Sequence, residues 1–551
     1  MSQRHSLLNQ GWGVGPASPV PPIEARGERR GASHALAKAV SLHLDGKPGE
    51  ALAELYAAIE RGERDAELYS ALGHIHFQLG QYEEAAASYW RLIQMEPSHR
   101  TASFNLAVCL EKLGRWEESA ERFRLALEAD PQRSEAYLGI GICHLQLGRL
   151  DLALENFDKC LNQSPTHEAA MFGKAVTLQL AGRLDEAGNL YRRILMRNPT
   201  NEDSLVNLIA IDMARKDSER VRETAEQLLA VRPDSPAALE GLATAAFARG
   251  DNEAAARFCG RLVETVPDHF EGWFNLGVAH QKSGRFAEAA AAYARAAALR
   301  PDSAQVQMNL GIVNQELGNL SEARTAYQKA LSLDPTQTAT AWNLALVLEQ
   351  TGQSTEAEQI YARLLEASPD WQEAWFRLGF LRLQRGDYPA SIEAFERCLK
   401  KSPDWVEARL NLGIAHWKMG NHTEAYQAFE AVVASQPDSV DALRGLAALA
   451  LEADDEQAAL NYHSRLISLG ERSPEVFYNT GLLLQKAGAM EDAVKMYRKA
   501  IAAQPEFAEA LLNLGHALKA LGQDEEAKAC WQKALEHKPE LAYGYFEPTS
   551  A

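Results

Sequence analysis

Residues 270–303 read FEGWFNLGVAHQKSGRFAEAAAAYARAAALRPDS, and this segment of 34 residues contains the pattern that decides the fold. Its first half places Trp273, Leu276 and Gly277 at helical spacing, which predicts the buried stripe of an amphipathic helix. Gly284 then predicts the end of that helix, because glycine readily adopts the left-handed backbone conformation that often follows a helix.

The second half of the segment predicts a second helix that packs on the first. Ala289, Tyr293 and Ala296 form its apolar stripe. Pro301 stops it, since proline has no amide donor and clashes with the preceding turn. Gly277 and Ala289 are small at the places where the two helices cross, so the two backbones can approach closely.

The same pattern recurs along the chain with a period of 34 residues, which is the mark of a repeat architecture. The periodic prolines are Pro97, Pro131, Pro165, Pro199, Pro233, Pro267, Pro301, Pro335, Pro369, Pro403, Pro437, Pro505 and Pro539. Glu471 stands at the one place that lacks a proline. Glycine keeps the same period 17 residues earlier in twelve units. No insertion or deletion interrupts the register from Ala66 onward, so we predict one continuous array.

This set of large, small and proline places resembles the tetratricopeptide repeat family. The resemblance covers residues 66–541 as fourteen full repeats, and a degenerate repeat at 32–65 precedes them. It implies an all-α fold, namely a right-handed superhelical α-solenoid of about fourteen to fifteen helix-turn-helix repeats. It does not by itself imply a particular function, because such arrays serve many unrelated roles.

Two units fit the pattern poorly and are expected to be weak. The unit at 202–235 departs at Ile209, Lys216, Val221 and Ala225. The unit at 440–473 departs at Asp454, His463 and Glu471. Because repeat arrays gain stability from each unit and its neighbours, we predict faster amide exchange in these two units than in residues 270–437.

The segments outside the array are short. Residues 1–31 are rich in proline and glycine, which predicts a disordered leader, with a short docking segment as the alternative. The apolar residues of the leader are Leu7, Leu8 and Trp12. Residues 542–551 form an aromatic tail, which we expect to cover the last repeat or to contact a second molecule. Its aromatic residues are Tyr543, Tyr545 and Phe546.

Composition excludes several classes of function. Lys and Arg total 56 against 75 Asp and Glu, so the net charge is −19. Nucleic-acid and membrane-surface binding need clustered positive charge, and we therefore predict neither partner. No apolar run is long enough for a membrane span, and six scattered cysteines do not suggest a disulfide scaffold. We expect a cytoplasmic protein.

Catalytic motifs are also missing from the sequence. The histidines at one shared internal place of their repeats are His76, His144, His280 and His416. The cysteines at equivalent internal places are Cys109 with Cys143, and Cys160 with Cys398. A shared internal place is typical of core residues, and no HExxH or CxxC motif suggests a metal site. The chain ends soon after the array, where a catalytic domain would have to begin. We therefore predict no enzyme activity, no catalytic residue, no cofactor and no metal.

In the tetratricopeptide repeat family, the first helices line the concave face of the superhelix. One lining place in this chain is repeatedly asparagine, similar to the repeat region of O-linked N-acetylglucosamine transferases. Asparagine both donates and accepts hydrogen bonds, so a ladder of them can bind the main chain of an extended peptide. The alternative is that these asparagines and their aromatic neighbours pack between repeats.

The predicted peptide-binding groove combines the asparagine place with the large apolar residues beside it, and Arg377 replaces asparagine within the run. Its residues are Phe274, Asn275, Val278, Met308, Asn309, Ile312, Trp342, Asn343, Leu346, Phe376, Arg377, Phe380, Leu410, Asn411, Ile414 and Trp417.

Two functions remain open from the sequence. The first is a protein-interaction scaffold or adaptor that binds an extended or helical segment of another protein in its groove. The second is a structural protein that self-associates through its C-terminal face and aromatic tail.

Overall fold

The computed structural model describes residues 34–99 and 101–542, and it confirms the all-α repeat fold. These residues contain thirty α-helices, a short 3-10 helix at Pro539–Leu541 and no β-strand. The helices fall into two compact units, an N-terminal unit that ends at Pro301 and a C-terminal unit that begins at Asp302. The leader at 1–31 and the aromatic residues of the tail lie outside the described residues.

In the N-terminal unit, eight helix pairs follow one another along the chain. Its helices are α1 (His34–Leu44), α2 (Pro48–Glu60), α3 (Ala66–Gln78), α4 (Tyr82–Met95), α5 (Ala102–Lys112), α6 (Trp116–Ala129), α7 (Ser134–Gln146), α8 (Leu150–Gln163), α9 (Glu168–Leu180), α10 (Leu184–Arg197), α11 (Glu202–Ala214), α12 (Ser218–Val231), α13 (Pro236–Ala248), α14 (Asn252–Thr265), α15 (Phe270–Lys282) and α16 (Phe286–Leu299).

In the C-terminal unit there are seven helix pairs. Its helices are α17 (Ala304–Glu316), α18 (Leu320–Leu333), α19 (Thr338–Gln350), α20 (Ser354–Ala367), α21 (Gln372–Arg385), α22 (Tyr388–Lys401), α23 (Val406–Met419), α24 (His422–Ser435), α25 (Val440–Glu452), α26 (Glu456–Ser468), α27 (Pro474–Lys486), α28 (Met490–Ala503), α29 (Ala508–Ala520) and α30 (Asp524–His537).

In many helix pairs, a large ring of the second helix packs on a glycine of the first helix. In the pair α15–α16, a Cβ atom at Gly277 would lie 2.5 Å from Cε1 of Tyr293, closer than real side chains approach. In α17–α18, a Cβ atom at Gly311 would lie 2.4 Å from the ring of Tyr327. Glycine at this place therefore lets the buried aromatic ring reach the backbone of the facing helix.

The buried tyrosines of several repeats satisfy their hydroxyl groups in the same way. The hydroxyl donates to a glutamine side chain twelve residues earlier, at the end of the first helix of the same repeat. These pairs are Tyr191 with Gln179, Tyr293 with Gln281, Tyr327 with Gln315, and Tyr497 with Gln485.

The turns follow the predicted chemistry. Gly284 has a φ of 72°, and the amide of the next residue, Arg285, donates to the carbonyl of His280 at 2.9 Å, which closes the end of α15. At the end of α16, Arg300 has φ −137° and ψ 83°, which lie outside the helical region that the following proline disfavours, and the helix stops there.

The fourth place of some repeats anchors the turn that precedes them. The indole nitrogen of Trp273 donates to the carbonyl of Pro267 at 2.8 Å. The indole nitrogen of Trp375 makes the same bond to Pro369, also at 2.8 Å. These two tryptophans therefore have a structural role within their own units.

A candidate protein-interaction face

The predicted groove residues fall on both compact units, so each unit is considered alone. Phe274, Asn275 and Val278 lie in α15 of the N-terminal unit, and all three are half-buried. The ring of Phe274 packs 5.8 Å from Tyr293 and stacks at 6.2 Å on Phe270. Phe274 therefore packs largely within its own repeat.

The other thirteen predicted residues lie on the first helices of four consecutive repeats in the C-terminal unit. They occupy the fifth, sixth, ninth and twelfth places of α17, α19, α21 and α23, and these places share one side of a helix. Asn309 is buried, whereas the remaining twelve residues are half-buried. We call this surface the first-helix face, and its positions are Met308, Asn309, Ile312, Trp342, Asn343, Leu346, Phe376, Arg377, Phe380, Leu410, Asn411, Ile414 and Trp417.

The asparagines of this face differ in how much of their hydrogen bonding remains free. Asn309 is 7% exposed, and its side-chain oxygen accepts from Nε2 of Gln305 at 3.1 Å. Asn411 donates to the carbonyl of Glu407 in its own helix at 2.8 Å. Farther along, buried Asn513 donates to the hydroxyl of Tyr478 at 3.0 Å. The asparagine place thus combines internal packing with partly exposed amide groups.

Two aromatic pairs dominate the middle of the first-helix face. Trp342 stacks on Trp371 with ring centroids 4.7 Å apart and an interplanar angle of 27°. Phe376 stacks on Trp405 at the same distance with an angle of 19°. Trp371 and Trp405 occupy the last place of consecutive repeats, and their rings are half-buried.

Trp371 and Trp405 are not among the groove residues predicted from the sequence. A signal was present, because the last place of most repeats is polar, as at Ser303, Gln337 and Ser439. Two consecutive tryptophans at such a place are a departure from the pattern of most repeats.

Charged residues at the edge of the face are paired across repeats. Arg377 donates to Oε2 of Glu349 at 3.3 Å, and the side chain of Glu349 is 13% exposed. Burial and this carboxylate together raise the pKa of the neighbouring Tyr361. Trp417 donates from its indole nitrogen to both carboxylate oxygens of Glu452 at 3.2 Å. Glu349 and Glu452 therefore border the first-helix face, although the sequence did not predict them.

The two units differ in charge. Residues 1–301 contain 34 Lys and Arg against 40 Asp and Glu, whereas residues 302–551 contain 22 against 35. The net charge of −19 therefore divides into −6 and −13. The C-terminal unit, which carries most of the predicted face, is the more acidic of the two.

The candidate nucleophiles lie in environments that make them unreactive. Cys109 and Cys143 are fully buried, and burial raises the pKa of each thiol to about 12. A thiol with so high a pKa is almost entirely protonated at neutral pH, and the thiolate is the nucleophile. His76 hydrogen-bonds through both ring nitrogens, to Tyr56 at 2.8 Å and to Gln81 at 2.6 Å, which fits a satisfied structural histidine.

Within residues 34–99 and 101–542, no cluster of three His, Cys, Asp or Glu side chains has the geometry to hold a metal ion. None of the helices in that part of the chain combines the length and apolar character that crossing a membrane requires.

The helix pairs and their periodic core define a helical repeat protein, and family models identify the repeat. Models described as tetratricopeptide repeat match residues 70–134, 112–168 and 274–338, residues 144–211, 178–245 and 382–450, and residues 236–261 and 508–541. A further repeat model of this kind matches 486–522, and the tetratricopeptide domain of cytochrome c-type biogenesis protein H matches 308–409. Together these matches cover well over half of the chain. The chain therefore belongs to the tetratricopeptide repeat family.

Several solved structures are similar to parts of this chain. The crystal structure of MamA is 28% identical and covers 30% of this chain and 97% of its own, with a TM-score of 0.28. A tetratricopeptide repeat protein from Parabacteroides merdae is 21% identical over 45% of this chain and 98% of its own, with a TM-score of 0.33. YrrB, described as a tetratricopeptide repeat protein with an unusual peptide-binding site, is 22% identical. The match covers 34% of this chain and 98% of YrrB, with a TM-score of 0.33.

Proposed function

We propose that this protein is a non-catalytic interaction scaffold whose first-helix face binds an extended or helical segment of another protein. The observation that carries the proposal is the run of half-buried apolar and aromatic side chains on four consecutive first helices. Partly exposed apolar surface rimmed by polar groups is typical of protein-binding sites.

The polar groups beside the apolar run support a polypeptide ligand. Asn343 and Asn411 offer amide groups, and the Arg377 side chain remains 42% exposed although it pairs with Glu349. Amide and guanidinium groups can hold a peptide main chain while the aromatic surface accepts its side chains. This arrangement supports our proposed likeness to the arrays of O-linked N-acetylglucosamine transferases in the use of asparagine.

The proposed partner is another protein, and we propose neither a nucleic-acid nor a membrane partner because the chain is acidic. Cytoplasmic localisation stays a prediction. Self-association also stays a prediction, since the tail residues on which it depends lie outside the described residues. Among the described residues of α29, α30 and their turns, Leu521 is the one exposed large apolar side chain, at 36%.

Site-specific photo-crosslinking in a host lysate tests the proposal. A crosslinking amino acid would replace Gln350 or Lys418, which are exposed at the thirteenth place of α19 and α23. Matched controls would carry it at Gln359 or Glu396, which are exposed on the second helices α20 and α22. We expect the two first-helix positions to capture the same polypeptides and the two control positions not to capture them.

Equal capture from all four positions, or capture from the control positions alone, would contradict the first-helix face as the binding surface. Because all four replaced residues are exposed, the substitutions should leave the helices intact, and circular dichroism of each variant checks this.

A further inference from the structure

We infer that the C-terminal unit binds a proline-containing extended segment with basic side chains, held on the aromatic pairs Trp342–Trp371 and Phe376–Trp405. This inference rests on the proposed function, because it names the chemistry of the partner for the same face.

The two pairs form equivalent apolar platforms in consecutive repeats. Each pair joins the fifth and the last place of its repeat, and both have centroids 4.7 Å apart with nearly parallel rings. The neighbouring repeats lack the platform, since Gln337 and Ser439 stand at the last place there. Flat aromatic surfaces of this kind accept the rings of proline residues in polyproline II segments.

The platforms also carry donors that the protein does not use. Among the described residues, the indole N–H groups of Trp342, Trp371 and Trp405 have no hydrogen-bond acceptor, and none of the three is closed off from solvent. By contrast, Trp273 and Trp375 donate to proline carbonyls at 2.8 Å. A partner helix would have its carbonyls bonded internally, whereas a polyproline II segment has no internal hydrogen bonds and offers its carbonyls freely.

The spacing expected for the platforms, on the general distance between neighbouring helices, is close to the period of such a segment. Packed helices have axes about 8–10 Å apart, so equivalent places in consecutive repeats recur at a distance on the order of 10 Å. A polyproline II helix has three residues per turn and rises about 3.1 Å per residue, which gives a repeat of roughly 9 Å. Two prolines three residues apart would therefore meet two consecutive platforms.

Charge beside the second platform favours basic side chains in the partner. Glu373, Asp404 and Glu407 are exposed, and within the described part of the chain they have no ion-pair partner. Of the nearby cations, Lys401 pairs with Asp370 at 2.9 Å, and Arg409 donates to the carbonyl of Pro403.

An open depression beside the ring of Trp405 could receive a long basic side chain, because the unpaired carboxylates of Glu373 and Asp404 lie in its wall. The remaining lining residues are Gln372, Lys401, Ser402 and Pro403. A neutral or acidic proline segment would leave these carboxylates uncompensated.

Isothermal titration of the full chain with a synthetic peptide tests the inference. The probe would repeat the sequence Arg-Pro-Leu-Pro-Pro, and the control peptide would have alanine at every proline, which keeps length and charge but removes the polyproline preference. Trp371→Leu and Trp405→Leu should each weaken binding of the proline peptide about tenfold, as expected for loss of an aromatic contact and its hydrogen bond. Trp405→Phe keeps a ring but removes the donor, and should have a smaller effect.

Trp375→Phe is the matched control, because Trp375 lies in the same repeat as Trp405 and bonds to Pro369 outside the platforms. It should leave binding within about twofold of the unchanged chain. In indole ¹H–¹⁵N spectra, the proline peptide should shift the signals of Trp371 and Trp405 and not that of Trp375. Circular dichroism confirms that each variant is folded.

Three results would overturn the inference: no binding of the proline peptide, equal binding of the alanine peptide, or unchanged binding by the Trp371→Leu/Trp405→Leu double variant. If the first-helix crosslinks described above persist in any of these cases, the scaffold function stands and the partner is of a different chemistry. If the crosslinks are lost as well, both proposals fail.

Discussion

The repeats at 202–235 and 440–473 both depart from the pattern, yet their side chains compensate in different ways. In the repeat at 202–235, a large and a small side chain have exchanged places. Ile209 stands where most repeats have glycine or alanine, and Ala225 stands where most have an aromatic ring. Both are buried in one cluster with Val221, so the large and the small residue have traded places across the helix pair.

In the repeat at 440–473, a polar side chain replaces the apolar ring of other repeats. His463 occupies the aromatic place and is 4% exposed, and neither ring nitrogen has a hydrogen-bond partner among the described residues. Burial lowers the pKa of His463, which favours the neutral ring. The missing proline is compensated better, because the Glu471 carboxylate accepts from the amides of Arg472 and Ser473 and pairs with Arg444.

We infer from this difference that a repeat tolerates a compensated change of side-chain volume more readily than an unsatisfied imidazole at its aromatic place. A volume exchange retains close packing if two places change together. A buried imidazole without partners lowers stability even where its size fits, because its desolvation is not compensated. The following substitutions test this distinction.

Restoring the aromatic residue alone should damage the repeat at 202–235. Ala225→Tyr puts a ring against Ile209, whereas Tyr293 meets the bare backbone of Gly277 in a regular repeat. We expect a loss of about 3 kcal/mol in the free energy of unfolding, from overpacking. The double variant Ile209→Gly/Ala225→Tyr should recover most of it, because the two places couple.

Urea unfolding followed by circular dichroism, with amide exchange to localise the change, measures both variants. Tyr293→Ala serves as the reciprocal control, since it opens a cavity in a regular repeat and should cost about 3–5 kcal/mol. If the double variant is as unstable as Ala225→Tyr, then Ile209 and Ala225 are not a compensating pair.

Replacing the unsatisfied imidazole should strengthen the other repeat. His463→Phe removes two buried nitrogens without partners and supplies the ring that most repeats have at this place. We expect the free energy of unfolding to rise by about 1–2 kcal/mol. Amide protection in α25 and α26 should increase, while protection in α11 and α12 stays unchanged. A decrease at α25 and α26 would mean that the imidazole is satisfied in solution.

The two repeats should also respond to pH with opposite signs. The depressed pKa of His463 means that the unfolded chain binds the extra proton first, so stability falls as the pH drops below about 6.5. Asp212 is 1% exposed, and burial raises its pKa. Repulsion from Asp217 also raises this pKa, whereas the nearby Arg192, Arg220 and Arg215 lower it without reversing the shift. Its contribution is present at low pH and is lost as the pH rises above about 4.

Amide protection factors, corrected for the intrinsic pH dependence of exchange, measure this contrast. Protection factors in α25 and α26 should fall as the pH is lowered. Protection factors in α11 and α12 should be higher near pH 4 than near neutral pH. His463→Phe and Asp212→Asn should each flatten the pH dependence of their own repeat. The same sign in both repeats, or a response that survives these substitutions, would refute the assignment.

The sequence predicted the fold well because a periodic pattern averages over many local errors. Gly284 and Gly318 both end a first helix, and Tyr293 and Tyr327 are both buried against the facing helix. Because each role recurs in many repeats, one atypical residue does not hide the period. Site residues have no such redundancy, and their contacts cross repeats. The bond between Arg377 and Glu349 joins residues 28 positions apart, which no spacing rule within one repeat would suggest.

The asparagine place also shows that sequence periodicity does not predict the contacts of individual side chains. Sequence periodicity treats Asn309 and Asn411 as equivalent. In the structure, Asn309 is buried against Gln305, whereas Asn411 is half-buried and bonds to its own helix. The difference arises from neighbours at other places of the repeat, so residue type and register predict the face but not the role of each amide.

The backbone just after α11 and α25 is left-handed at residues other than glycine. Lys216 and Asp454 have φ angles of 59° and 54°, although both stand where twelve other repeats have glycine in the same conformation. A left-handed conformation costs a residue with a side chain roughly 1–2 kcal/mol relative to glycine, but aspartate tolerates it better than lysine. Part of this cost is offset because glycine is more disordered in the unfolded chain.

We therefore expect Lys216→Gly to stabilise the chain by up to about 1 kcal/mol, and Asp454→Gly by less. Urea midpoints measure both, and Gly284→Ala is the inverse control, with an expected loss of about 1 kcal/mol. If the two glycine substitutions raise the stability by the same amount, then aspartate does not tolerate the left-handed conformation better than lysine at this place. If Lys216→Gly destabilises, the lysine side chain makes a contact worth more than the strain, and the repeat at 202–235 is less weakened than its sequence indicates.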